Sequence, residues 1–373
     1  MTPSSPRVEV LFAGGGTAGH VLPGLSVAAA LVDAGRPAHQ IGFLGSHGIE
    51  RELVPAAGFT LETVPGRGIS RSLSMAALTA IASDLWGTVR GIAIVRRLRP
   101  RVLVALGGYA AGPGIIGAIV WRVPIVVLAR DARVGFADRL AGRFARACAV
   151  AFPGTDLPRA VVTGAPLRPE ILAVSHAADR TTACAELGIP PQRTVVAVFT
   201  GSLGSRRVNE AVREMVATWA DRHDLAVYHV IGRRDWDAWQ ADAPAPPADG
   251  LWYRCVAYED HMERVLAAAD VAVTRAGGAT VAELAQLGLP AVMVPLPIAT
   301  GDHQRYNALV LVDVGGGVLV PDDECDGERL VRELTPLVDD PEMRARMGAA
   351  AATLARPDAA AAVAALIEEH VEP

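Results

Sequence analysis

The sequence predicts an α/β protein built from two doubly wound domains. Three observations predict it. At 373 residues the chain is long for one domain and ordinary for two, at about 150 residues each. Short apolar runs of strand length recur, each breaking into a turn and then a helical pattern, which is how βαβ units read. The series starts twice, first at Val8 and again at Thr194.

Residues 8–13 form the first apolar run and break at Gly14-Gly15-Gly16-Thr17. Leu22, Leu25, Val27, Ala28 and Leu31 then recur at helical spacing. Residues 40–44 read as a strand and 48–57 as a helix. Residues 101–106 form a strand ending at Gly107-Gly108, and 124–128 another. The first half closes over 160–166. The second opens with the strand 194–199, which ends in Gly201-Ser202-Leu203-Gly204. Strand runs follow at 226–231, 271–274 and 291–294. The Pro- and Ala-rich stretch 242–250 reads as a surface loop, and the Ala-rich chain from Met343 as helix. Apolar strands alternating with helices imply parallel sheets covered on both faces. The joint lies within 165–190. The expected domains are 7–165 and 166–354, with a C-terminal helix over about 355–373 packing back on the first. Two such domains facing each other leave a cleft at the carboxyl ends of their strands, where ligands bind.

Composition removes several classes of function. The chain is 51% hydrophobic and 20% charged, which is globular and not disordered. A net charge of -5 argues against a nucleic-acid partner. All 35 basic residues are arginine. Without a lysine amine there is no Schiff-base or pyridoxal chemistry, no Walker A loop and no protein-kinase site. Arginine does not deprotonate and cannot replace it. Cys148, Cys184, Cys255 and Cys325 are too scattered for a zinc knuckle and suit a reducing compartment. Residues 1–6 lead directly into the first strand, so no signal peptide is expected. The most apolar stretch, 115–128, is interrupted by Arg122 and Pro124 and is too short to span a bilayer.

Three βα turns are glycine-rich: 14–20, 107–114 and 201–204. Glycines there either make tight turns or let backbone N–H groups and a helix N-terminus approach a phosphate. Three in the same position favour a phosphate-bearing ligand. Gly14, Gly16 and Gly19 fit GxGxxG, but Gly45-Ser46-His47 stand where a dinucleotide fold needs its acid, so nicotinamide dinucleotide binding is not expected. Arg275-Ala276-Gly277-Gly278-Ala279-Thr280-Val281-Ala282-Glu283 follows the strand 271–274. Glu283 there can cap backbone N–H groups or accept hydrogen bonds from ribose hydroxyls. A polar run, Gly301-Asp302-His303-Gln304-Arg305-Tyr306-Asn307-Ala308, follows the strand 291–294.

With these residues in this order, the chain resembles the MurG family of GT-B glycosyltransferases over nearly its whole length. The matching motifs are Gly14 to His20, Gly107-Gly108-Tyr109-Ala110-Ala111-Gly112-Pro113-Gly114 and Thr163-Gly164-Ala165-Pro166-Leu167-Arg168. They continue through the runs beginning at Gly201, Arg275 and Asp302. The resemblance implies inverting transfer of N-acetylglucosamine from UDP-GlcNAc to lipid-linked muramoyl-pentapeptide (lipid I), giving lipid II for peptidoglycan. It implies donor contacts from Thr17, Gly19, Arg168, Ser202, Tyr258, Glu259, Met262, Gly277, Ala279, Thr280, Glu283, Gln304 and Asn307. Glu283 takes the ribose, the turn before it the diphosphate, and Gln304 and Asn307 the sugar. Gly16, Gly108, Tyr109, Gly112, Arg130 and Asp131 fall on the acceptor side. His20, at a helix N-terminus, is the candidate general base. Binding an acceptor phosphate is the other reading of it. No carboxylate pair of DxD type follows a strand, so no cofactor and no essential metal are expected.

The implied partners are UDP-GlcNAc, a lipid-linked acceptor, an anionic membrane surface and cell-wall synthesis proteins, at the cytoplasmic face of the membrane. Leu73, Met75, Leu78, Ile81, Leu85 and Trp86 precede Arg90, Arg96, Arg97 and Arg99. They form either a membrane-facing patch or an ordinary helix facing the core.

The chain departs from the family pattern in one loop. The family carries His-Glu-Gln-Asn after the strand segment 124–127, and here Leu128, Ala129, Arg130 and Asp131 stand in its place. Thr200 replaces a usual glycine and Ala165 a usual asparagine. Three readings follow: lipid II synthesis with the loop tolerated, glycosylation of a natural-product or phospholipid acceptor, or a weakly active paralogue that binds UDP-sugar.

Overall fold

The computed structural model describes residues 7–65 and 75–371, with the side chains at 75–84, 177 and 300 left out. Leu73 and residues 1–6 lie outside the described residues, as do the side chains of Met75, Leu78 and Ile81. The chain divides into two compact units. One runs to Arg168 and takes back the segment Arg356–Pro373; the other is Pro169–Ala355.

The described strands of the first unit are β1 (Val10–Gly14), β2 (Ile41–Gly45), β3 (Thr60–Thr63), β4 (Val102–Gly107), β5 (Ile125–Ala129), β6 (Ala147–Val150) and β7 (Ala160–Val162). They pair in parallel in the order β3-β2-β1-β4-β5-β6-β7. The second unit holds β8 (Thr194–Phe199), β9 (Leu225–Val230), β10 (Trp252–Val256), β11 (Val271–Thr274), β12 (Ala291–Met293) and β13 (Gly317–Leu319). Their order is β10-β9-β8-β11-β12-β13, again parallel. Each is a Rossmann-like doubly wound sheet. Strand order reverses between β1 and β4 in one unit and between β8 and β11 in the other, and crevices form at the carboxyl ends of such strands.

The first strand shows why the pattern is an unbroken apolar run. Val10 and Phe12 face one core cluster, while Leu11 and Ala13 face another on the opposite side of the sheet. Helices cover both faces, so both faces must be apolar. Phe12 stacks on Phe43 at 4.9 Å between ring centroids. Val21, Val27, Ala28 and Leu31 bring the helix Ala18–Asp33 onto the first cluster. Val363, Ala364 and Ile367 of the helix Ala359–Glu368 join the same cluster. The Arg36 guanidinium ties the two helices, donating to Glu368 and, at 2.7 Å, to Glu9. In the second unit the helix Arg206–Thr218 buries Val208, Ala211, Val212 and Met215 at i, i+3, i+4 and i+7.

Strands β3, β6, β7, β10 and β13 go beyond the strands read from sequence. β3 and β10 are edge strands, half-buried and carrying Glu62 and Arg254, so they lack an apolar run. β13 is three residues long and begins with glycine. The Ala-rich tail is two helices, Pro341–Ala352 and Ala359–Glu368, parted around Arg356-Pro357. Proline removes the N–H that a continuous helix would use.

One buried polar group sets a pH dependence on the second unit. His229 of β9 has no exposed surface. Its Nε2 lies 3.1 Å from Asn209 Oδ1, an acceptor, so Nε2 carries the proton, and Nδ1 accepts from the Tyr253 hydroxyl at 3.1 Å. Burial pushes the imidazole down to about 3. The unfolded chain takes a proton near pH ~6.5 and the folded chain does not. Stability is therefore full above that value and is lost as pH falls toward about 3. Unfolding free energies from urea titrations should fall between about pH 7 and about pH 5, by up to about 1.4 kcal/mol per pH unit. His229→Gln should flatten that slope; an unchanged slope would remove His229 as its source.

Candidate active site

In the first unit the site grows from the turns that end β1 and β4. Gly14 pairs with Gly107 across a register shift, so the two strands leave the sheet side by side. Gly16 has φ +89° and lies against the Tyr109 ring; a Cβ there would stand 2.9 Å from Tyr109 Cε1. Gly108 has φ +74°, and a Cβ would meet the Gly15 carbonyl at 3.0 Å and His20 Nε2 at 3.3 Å. Only glycine allows that close approach in that conformation.

Thr17 is the N-cap residue of the helix Ala18–Asp33, yet its side chain makes no capping bond. Its hydroxyl pairs instead with His20 Nδ1 at 2.8 Å. The other ring nitrogen, Nε2, is 2.7 Å from Arg130 Nη2. A guanidinium only donates. Nε2 is therefore the acceptor, the ring proton sits on Nδ1, and Nδ1–H donates to Thr17. Arg130 follows directly after β5, with its side chain 20% exposed and Nε 3.7 Å from Asp131 Oδ2. Its Nη1 is buried without a hydrogen-bond partner, as is Asp138 Oδ1. Burial raises the Asp138 carboxyl to about 6, although the Arg130 charge pulls it back.

Glu50 closes the cluster from beneath. It is 1% exposed and accepts from Gly16 N at 3.0 Å, Ser46 N at 2.7 Å and Ser46 Oγ at 2.6 Å. Burial pushes its carboxyl up, but the Ser46 hydroxyl and the Gly16 N–H outweigh that and hold it below its ordinary value. Ser46 Oγ in turn lies 3.1 Å from the Tyr109 hydroxyl. The first glycine turn thus spends the Gly16 N–H on the protein's own carboxylate. That N–H, expected among phosphate donors, is already taken.

In the second unit the turn after β11 is held from behind. Arg275 donates to the carbonyls of Val294 and Pro295 at 2.9 and 3.0 Å, to Asp322 and, at 2.7 Å, to Ser205 Oγ. Gln304 Oε1 accepts from Ala276 N at 3.2 Å and Leu296 N at 3.0 Å. Asn307 donates to the Ala276 carbonyl at 3.0 Å. The helix Gly278–Leu287 starts here with Gly277 as N-cap and no side-chain cap. Its first-turn N–H groups have no partner within the helix and carry its positive end. Glu283 is half-buried in the second turn, too far along to act as the cap. The turn 201–204 is pinned where Arg233 N donates to the Ser202 carbonyl at 3.2 Å. The Arg233 guanidinium lies 4.0 Å from the centroid of the Tyr258 ring. Glu259 accepts from the Tyr228 hydroxyl at 2.8 Å and from His261 N at 2.9 Å, just before the helix Met262–Ala268.

The structure thus brings His20, Thr17, Gly16, Gly19, Gly108, Tyr109, Arg130 and Asp131 together in the first unit. Gly112 N donates to the Tyr109 carbonyl at 3.3 Å, with open space where a Cβ would be. Thr17 and Gly19, expected with the donor residues, belong to this first cluster, and Arg168 ends the first unit. Ser202, Tyr258, Glu259, Met262, Gly277, Ala279, Thr280, Glu283 and Gln304 belong to the second. Asn307 is fully buried, 0% exposed, and its side chain shapes the turn at Ala276. Sequence reasoning missed Glu50, Ser46 and Asp138. The acid that follows β2 is Glu50, three residues beyond His47.

Among the described residues no group of three or more His, Cys, Asp or Glu is placed to hold a metal ion. No described helix is long and apolar enough to cross a membrane. In the helix Met75–Leu98, Val95 faces the core, whereas Leu85, Trp86 and Val89 are 64%, 62% and 56% exposed.

Two Rossmann-like domains in one chain, each with glycine turns at its switch point, make up the GT-B architecture. The family models for the glycosyltransferase family 28 N-terminal and C-terminal domains match residues 10–150 and 195–363, and the chain belongs to that family. It is 40% identical, over 97% of its length and 98% of the relative's, to the UDP-N-acetylglucosamine--N-acetylmuramyl-(pentapeptide) pyrophosphoryl-undecaprenol N-acetylglucosamine transferase of a Nocardioides species. The crystal structure of MurG from Acinetobacter baumannii superposes with a TM-score of 0.76 at 27% identity, covering 97% of this chain and 99% of that one. The glycosyltransferase of kitacinnamycin shares the fold at TM-score 0.72 and 19% identity, covering 98% of this chain and 99% of that one.

Proposed function

We propose that this chain transfers N-acetylglucosamine from UDP-GlcNAc, with inversion, to lipid-linked muramoyl-pentapeptide, converting lipid I to lipid II. The observation that carries the reading is the His20 ring, fixed by Thr17 at the carboxyl edge of the first sheet with its basic nitrogen Nε2 facing away from that anchor. The relatives that bear this activity in their names support the substrate assignment.

The acceptor hydroxyl gives its proton to His20 Nε2 as its oxygen bonds to the anomeric carbon. The bond from that carbon to the diphosphate oxygen breaks, and UDP leaves with the electron pair. The helix N-terminus at Gly277, Gly278, Ala279 and Thr280 supplies positive potential to the diphosphate, with Ser202 and Arg168 beside it. Glu283 takes the ribose hydroxyls, Tyr258, Glu259 and Met262 the uracil, and Gln304 the sugar. Asn307 and Arg275 hold the diphosphate turn in shape. Gly108, Tyr109, Gly112, Arg130 and Asp131 attend the acceptor, and no step needs a metal.

The enzyme works at the cytoplasmic face of the cell membrane, alongside cell-wall synthesis and division proteins. Exposed Leu85, Trp86 and Val89 near Arg90 and Arg96 support contact with anionic lipid. Trp86→Glu should lower co-sedimentation with anionic vesicles about tenfold, with UDP-GlcNAc affinity retained. Equal sedimentation of the two proteins would remove this patch from the contact.

UDP release tests the substrate assignment. Release should require both UDP-GlcNAc and a short-chain lipid I analogue, and a polyprenyl phosphate lacking the muramoyl-pentapeptide should not replace it. Arg130 and Asp131, standing where the family has amide side chains, favour a second reading, a different lipid-linked or natural-product acceptor. Release with such an acceptor and none with lipid I would establish it.

A further inference from the structure

Arg130 occupies the one nitrogen that a base at His20 has to offer. Nη2 donates to Nε2 at 2.7 Å while Nδ1–H is committed to Thr17. In this arrangement the ring cannot accept a hydroxyl proton, because its lone pair is already engaged. The guanidinium is also incompletely satisfied. Nη1 is buried with no partner, and a Cβ on Gly19 would come within 3.3 Å of it, so the glycine makes room for the group. Asp131 approaches only to 3.7 Å, and the buried Asp138 Oδ1 has no partner either. Unmade hydrogen bonds of buried groups are costly. Charge-assisted forks from arginine to phosphate are shorter and stronger than a bond to a neutral imidazole.

We propose that Arg130 is a substrate-released lock on His20: it holds Nε2 until a diphosphate on the acceptor takes the guanidinium, and only then is the ring open to the acceptor hydroxyl. This rests on His20 being the proton acceptor. Arg130 is thereby a positioning and specificity residue. Water entering without an anionic acceptor meets a base that is already occupied, so the donor is spared wasteful hydrolysis. The departure from the family pattern at this loop is then an alteration of acceptor choice rather than a loss of function. The anion required is a diphosphate, and both acceptor and donor could bring one.

The test uses the full chain labelled with 15N-histidine, reading the His20 ring nitrogens in two-bond proton–nitrogen correlation spectra. The short-chain lipid I analogue should move the Nε2 resonance, and inorganic pyrophosphate should move it in the same direction. Arg130→Met should show the moved position without any ligand. UDP alone should leave Nε2 where it was. A shift with UDP, or none with the lipid I analogue or pyrophosphate, overturns the proposal, and the wild-type titration decides this even if the variant fails to fold. In kinetics, Arg130→Met should raise the acceptor KM by about tenfold and raise UDP-GlcNAc hydrolysis without acceptor by about tenfold. A purely structural role would lower kcat for transfer and lower UDP-GlcNAc hydrolysis with it. His20→Ala separates this idea from the one it rests on. If turnover survives that change, the base reading falls. If turnover is lost but Nε2 never responds to diphosphate, only the lock falls.

Discussion

His20→Ala should lower kcat for transfer to a lipid I analogue by about 10²- to 10⁴-fold, with the KM for UDP-GlcNAc nearly unchanged. The expectation follows from placement. Thr17 fixes one ring nitrogen, Arg130 marks the other as acceptor, and the residues proposed for the donor, Gly277, Glu283 and Gln304, belong to a different unit of the chain. A group that acts only as the hydroxyl is attacked leaves donor binding alone and removes transition-state stabilisation. If His20 instead bound acceptor phosphate, the same change would raise the acceptor KM with a smaller loss of kcat. Steady-state kinetics with each substrate varied in turn distinguishes the two.

Glu50→Gln should be the second largest effect. The carboxylate receives three hydrogen bonds while almost wholly buried. An amide offers one oxygen and places an NH2 against donors. Bonds to a buried charged group contribute about 1.5–3 kcal/mol each, so the first unit should lose about 3 kcal/mol or more in urea unfolding. Transfer should fall with it, because Gly16 begins the turn that carries Thr17 and His20. The pH dependence has a definite sign. With the folded carboxyl held below its ordinary value of 4.5, its contribution is full above that value and is lost as pH falls through the folded one. Wild type and Glu50→Gln should therefore converge in stability at low pH. A constant difference down to the acid transition would contradict this.

The parallel sheets and their switch points were legible in the sequence because β1, β4, β5, β8 and β11 are buried on both faces and so read as unbroken apolar runs. β3 and β10 were not, because an edge strand carrying Glu62 or Arg254 has no such run. Glycine turns and the placing of His20 were legible too, since strained backbone and a polar residue after a strand leave marks in a sequence. What could not be read was which polar groups spend their hydrogen bonds on the protein itself. Glu50 fills the first glycine turn, Asn307 is enclosed beneath Ala276, and Arg130 engages His20 from 110 positions away. Each is a pairing between distant residues, and periodicity carries no trace of it. The Arg130 substitution was visible as a departure, but its partner emerged only from the geometry.

The measurement that bears most directly on the account is the structure of the product. Purified protein, UDP-GlcNAc and a short-chain lipid I analogue should yield a disaccharide whose new anomeric proton, in the NMR spectrum, has the coupling of a β-linkage. That result would match inverting transfer to lipid I. An α-linked product, or free N-acetylglucosamine with the lipid I analogue unchanged, would contradict it.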